Sequence, residues 1–105
     1  MKRGDIVLVR YPFTDFSSEK LRPAVVILPA DEDDYLLAFI TTNLSRKTAH
    51  DITLKASETR LHHDSLLRLR KLMSVHKSLV LGKIGTMPPH QLQDLDVQLK
   101  TMLQI

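Results

Sequence analysis

The hydrophobic positions of this chain fall in short blocks separated by polar turns. "DIVLVRY", residues 5–11, is rich in β-branched side chains and predicts a strand. "YPFTDFSSEK" follows as a loop, with Pro12 breaking the ladder and Asp15, Ser17 and Ser18 supplying turn chemistry. "RPAVVIL", 22–28, and "YLLAFITTN", 35–43, predict two strands covered on both faces, with "PADEDD" as the turn between them. "LSRKTAH" reads as a second polar loop and "DITL", 51–54, as a short strand. "SLLRLRKLMSV", 65–75, alternates only in part. A strand or a pair of strands competes there with a helix, because Leu, Arg, Lys and Met favour helix. "SLVLGKIG", 78–85, predicts the last strand, with Gly82 and Gly85 marking a bulge or an exit.

The C-terminal pattern changes period. Leu92, Leu95, Leu99, Met102 and Leu103 lie on one stripe of a helix. Pro88 and Pro89 suit its first turn, and Thr86 would cap a helix beginning at Pro88. Short strands, polar loops and one terminal amphipathic helix predict a mainly β fold: a small barrel with a helix packed on it.

Composition narrows the picture. A chain of 105 residues supports a single domain, 1–105, with one modest core. Its apolar runs are too short to span a bilayer. The basic N-terminus is interrupted by Asp5 and reads as mature protein, not as a signal peptide. With no cysteine, disulfides and thiolate metal sites are excluded, and a cytoplasmic location is expected. The net charge of +3 understates the basic surface, because Asp31, Glu32, Asp33 and Asp34 form one acidic cluster. Outside that cluster eight acids face fifteen cations. Such a surface suits a polyanion, though a merely solvated surface would carry the same charges.

Most enzyme signatures are missing. No G-x-S-x-G elbow occurs, and three glycines cannot build a phosphate-binding loop. "HHD", 62–64, offers metal-ligand types, but adjacent strand residues point to opposite faces and no second ligand set has metal-like spacing. A solvated turn explains it better, and no metal or cofactor is expected. A ribonuclease with two catalytic histidines stays open, although His50 and His76 belong to no motif.

Arg22 is the most informative residue. Pro23 steers it out of the α region, and the apolar run behind it anchors its backbone. Its guanidinium would leave the sheet at a fixed place beside loop 12–20, as a permanently charged fork suited to phosphate. A salt bridge to Asp15 or Glu19 accounts for it equally well. Thr41 and Thr42 end the third strand, where threonine is common for structural reasons alone.

Together "RGDIVLVRYPFTDFSSEKLRPAVVIL", 3–28, "AFITTN", 38–43, and "KSLVLGKIGTM" before an amphipathic helix resemble the MazF/PemK family of toxins from type II toxin–antitoxin systems. The resemblance runs nearly end to end and is most specific in residues 3–28. It implies a small SH3-like β-barrel of the MazF/CcdB-like kind and a homodimer. It implies a metal-independent endoribonuclease that cuts single-stranded RNA, with Arg22 and Thr41 as catalytic residues and Thr42 as the other register. Ser17, Ser18, Glu19 and Lys20 would then contact RNA, and a cognate antitoxin would be the protein partner. The same fold also serves non-catalytic toxins that poison DNA gyrase, which is the alternative reading. Two departures stand out: loop 12–20 carries no glycine, and His76 stands where relatives often carry an acid.

Overall fold

Buried residues at both parities of 5–11 show why that block is a strand: Ile6, Val7 and Val9 are all enclosed, so neither face is left to solvent. The computed structural model describes residues 1–11 and 20–105. The strands are β1 (Asp5–Tyr11), β2 (Lys20–Asp31), β3 (Asp34–Thr41), β4 (Ile52–Leu54), β5 (Ser65–His76) and β6 (Val80–Thr86). They form one antiparallel sheet in the order β4-β5-β3-β2-β1-β6. A single-turn helix, α1 (Ala56–Thr59), follows β4, and α2 (Pro89–Leu103) ends the chain. The mainly β architecture with a C-terminal helix agrees with the sequence pattern.

The sheet curls, and each face has its own core. One cluster joins Ile6, Val25, Ile27, Ala38, Ile40, Leu67 and Leu69 to Leu95 of α2, with Leu92, Leu99 and Met102 packed around it. The helical stripe therefore docks α2 onto the sheet, although Leu103 at its end stays exposed. The second cluster joins Val7, Val9, Ala24, Val26, Leu37 and Val75. Two glycines allow close approach. Gly4, at φ +95, would drive an added Cβ into Leu92, and Gly85 lies against the Thr59 carbonyl. The latter contact brings the segment after β4 back against β6 and tightens the curl. The bulges expected near Gly82 exist: the β1–β6 register shifts on both sides of the Gly82–Leu8 pair.

Several boundaries differ from the sequence expectation. The 29–34 turn contracts to Glu32 and Asp33, because β2 runs on to Asp31. Pro29 is tolerated there since the β2–β3 ladder is already shifted between Leu28 and Asp31. Residues 65–76 are one strand, held by pairing to β3 and β4 against their helical propensity. β3 stops at Thr41, so Thr42 and Asn43 lie beyond it. β6 begins at Val80, after a 3₁₀ turn over Lys77–Leu79. Thr86 does not cap α2, whose N-cap is Pro88 without a side-chain bond. Its hydroxyl instead donates to Asp5 Oδ1 at 2.9 Å.

Among the described residues, Asp5 is the buried acid with a full set of donors. Its Oδ2 accepts the Lys2 N–H at 2.9 Å, and Lys83 Nζ lies 3.3 Å from Oδ1. Burial pushes its pKa up, but these donors outweigh it and hold the carboxyl below the ordinary 3.8. A native pKa below the unfolded one means that the unfolded chain binds the extra proton. The stabilisation is thus complete above the ordinary carboxylate range and is lost as pH falls through the native pKa. Asp5→Asn is expected to cost about 1–3 kcal/mol at pH 7. Urea unfolding from pH 6 downward should show a shallower acid loss in the variant than in the parent. Identical slopes would remove Asp5 from the acid response.

Candidate functional site

A kink in β5 shapes the main cavity. β3 advances two residues, from Ala38 to Ile40, while its β5 partners run from Leu72 to Leu67. Residues 68–71, "RLRK", therefore stand opposite Phe39 alone, a large bulge. Leu69 plugs into the core with no exposed surface. Arg68 turns to Asp51, with its Nε 3.9 Å from Oδ2. Asp51 is itself fixed, since the same oxygen accepts the Thr48 N–H at 2.8 Å. With those two side chains committed, Arg70 and Lys71 are left exposed on the outer side.

They face a cavity of about 480 Å³ lined by Tyr11, Arg22, Phe39, Arg46, Arg70, Lys71 and Met73, with Ile40 and Leu72. Four cations share this wall, and no carboxylate stands among its described residues. Tyr11 and Phe39 meet edge to face, with ring centroids 5.2 Å apart. Arg46 arrives from a 3₁₀ turn, Leu44–Arg46, whose first residue follows the capping Asn43.

Arg22 lies in β2, paired with Val9 of β1, and its side chain is exposed to the cavity. The last β2–β3 pair is Ala24 with Phe39. Continuing that antiparallel register by two residues sets Arg22 abreast of Thr41. Arg22 shares a face with Ala24 and Val26, as Thr41 does with Leu37 and Phe39. Thr41 Oγ1 accepts the Asn43 N–H at 3.2 Å and is half-buried. Thr42 points elsewhere: with Pro23, Leu8 and Ile84 it lines a separate cavity on the other side of the strand. Lys20 opens β2 opposite Tyr11 and is exposed. Ser17, Ser18 and Glu19 lie outside the described residues, as does Asp15.

His62 and His63 are exposed beside Thr42's cavity, and His90 sits 3.5 Å from Glu58. Among the described residues no group of three or more His, Asp or Glu side chains is placed to hold a metal ion. His76 has a structural task. Its Nδ1 accepts the Ser78 N–H at 3.1 Å and caps the 3₁₀ turn before β6. An acid at this position would offer the same acceptor. Arg46, Arg70 and Lys71 were missed by sequence reasoning. The only signal was the broken alternation of "SLLRLRKLMSV", and it could not say which face the cations take.

Comparison with known proteins follows the same outline. A family model described as PemK-like, MazF-like toxin of type II toxin–antitoxin system matches residues 2–103. A search of curated proteins finds no match. Among solved structures, the Mycobacterium tuberculosis toxin MazF-mt6 superposes with a TM-score of 0.79 at 16% identity, covering 96% of this chain and 97% of that one. An endoribonuclease in complex with its cognate antitoxin, from a mycobacterial species, gives 0.77 at 15% identity over 100% and 96% of the two chains. MazF from Deinococcus radiodurans gives 0.76 at 18% identity over 100% and 97%. At these identities the superpositions speak for the fold. Among the described residues no helix is long and apolar enough to cross a membrane.

Proposed function

The chain belongs to the PemK-like, MazF-like toxin family of type II toxin–antitoxin systems, and on that premise we propose that it is a metal-independent endoribonuclease acting on single-stranded RNA. The observation that carries the reading is Arg22 on the wall of a cavity that three more cations line. Thr41 stands abreast of it on the neighbouring strand by register.

The reaction suited to such a site needs no protein nucleophile. The ribose 2′-oxygen attacks the adjacent phosphorus and loses its proton. The bond from phosphorus to the 5′-oxygen breaks, and that oxygen takes up a proton. The products are a 2′,3′-cyclic phosphate and a 5′-hydroxyl. Charge gathers on the non-bridging oxygens in the transition state, where preorganised N–H donors stabilise it most. Arg22 supplies that fork, and Thr41 adds a neutral donor to the same phosphate. An extended acidic segment of a cognate antitoxin would compete for the same cations, and a homodimer is the proposed assembly.

Purified chain should cut a randomised single-stranded RNA pool in the presence of EDTA. The new ends should carry 5′-hydroxyls, and a 2′-deoxy residue at the cut should abolish cleavage. Undiminished cutting of the deoxy substrate would overturn the mechanism. An uncut pool together with capture of DNA gyrase would put a non-catalytic toxin in its place.

A further inference from the structure

We propose that the β5 kink builds, with Arg46, a second phosphate subsite beside Arg22, so that Arg46, Arg70 and Lys71 hold a backbone phosphate of single-stranded RNA next to the one that is cut. The proposal rests on the endoribonuclease reading for its ligand class but not for its location, which comes from β5 itself.

Four residues of β5 stand against one of β3. An insertion of this size costs ladder hydrogen bonds, and it persists only because something holds it. Two internal contacts do so here. Leu69 is wholly buried in the α2-facing core, and Arg68 reaches Asp51, whose side chain is almost wholly buried. The outcome is a pair of adjacent, exposed cations at a fixed bend, neither of them spent on the acid nearby. Arg46 reaches the same cavity from a different segment, the 3₁₀ turn that follows β3. Convergence of cations from β2, β5 and the segment after β3 concentrates positive potential that an anion relieves.

Phosphate fits this arrangement better than an acidic peptide does. Arginines supply planar forks matched to phosphate oxygens. The rest of the wall is apolar and aromatic: Tyr11, Phe39, Leu72 and Met73. A cationic track beside aromatic surface is how single-stranded nucleic acid is held, backbone on the charges and base on the rings. A cavity of about 480 Å³ also falls within the range of ligand-sized clefts, roughly 300–1,000 Å³.

The test is binding of a fluorescein-labelled, randomised 2′-O-methyl RNA, which has no free 2′-hydroxyl and so cannot be cut. Fluorescence anisotropy is read over a series of salt concentrations. Arg70→Ala/Lys71→Ala should weaken binding ~10- to 100-fold at low salt. It should also flatten the slope of log K against log salt by up to about 0.7, the loss of one single-strand phosphate contact. Lys55→Ala/Lys100→Ala removes two exposed cations outside the cavity and serves as the charge-matched control. Circular dichroism confirms that each variant is folded. Cleavage by the parent chain is measured separately, so the two readings part cleanly. A parent that binds in this way without cutting RNA refutes the nuclease and keeps the subsite. A cutting parent whose Arg70/Lys71 variant matches the control in affinity and slope overturns the subsite.

Discussion

Arg22→Ala should lower the rate of RNA cleavage by about 10²- to 10³-fold, the loss found when one preorganised charge-stabilising donor is removed. The effect should fall mainly on kcat. Arg46, Arg70 and Lys71 still line the cavity, so ground-state attraction for the polyanion survives. Stability should change by less than about 1 kcal/mol, because the side chain is exposed and a surface ion pair contributes little. Arg22→Lys should recover binding but only part of the rate: an ammonium keeps the charge and loses the planar fork. Single-turnover cleavage, paired with thermal unfolding of the same samples, reads all three quantities. Equal cleavage by Arg22→Ala and the parent would remove Arg22 from the chemistry. A loss confined to KM would make it a binding residue only.

The legible and hidden parts of this site differ for a physical reason. Arg22 could be read from sequence because its constraint is local. Pro23 sets the backbone before it, and the apolar run 24–27 buries the strand behind it. Strand 5–11 was legible in the same way, down to its limits, since β-branched residues bounded by Gly4 and Pro12 leave few alternatives. Setting Arg22 abreast of Thr41 rather than Thr42 needs the β2–β3 register, continued from the Ala24–Phe39 pair, and register depends on residues far apart in the chain. The cations of β5 were hidden for a stronger reason. Sequence reading assumes that side chains alternate, and the bulge at 68–71 breaks alternation where the charges lie. The short turn at Glu32–Asp33 was hidden for a different reason: the charges of "PADEDD" favour exposure, and an exposed strand end reads like a turn. His76 looked anomalous by residue type and becomes ordinary once its Nδ1 is seen accepting the Ser78 N–H.

Leu69→Ala is where core and site meet, and it should have two separable consequences. The side chain is fully buried among Leu67, Ile40 and Leu95, so truncation should cost about 2–5 kcal/mol through lost burial and the cavity left behind. That is a large share of the 5–15 kcal/mol typical of a small domain. Leu95→Ala, equally buried on α2, should cost a comparable amount. Their effects on the site should differ. Leu69 is the only apolar anchor between Leu67 and Leu72, so its loss leaves the bend held by the Arg68–Asp51 contact alone, at 3.9 Å. Arg70 and Lys71 then lose their fixed placement even in molecules that remain folded. Leu95 supports the sheet from α2 and is not itself among the residues that line the cavity. Urea denaturation gives the stability of each variant, and affinity for the 2′-O-methyl RNA is then corrected for the folded fraction. Leu69→Ala should bind several-fold more weakly after that correction, and Leu95→Ala should bind like the parent. Equal corrected affinities would mean that the bend keeps its shape without its anchor, and that the position of Arg70 and Lys71 is set by ladder pairing on either side of the bulge.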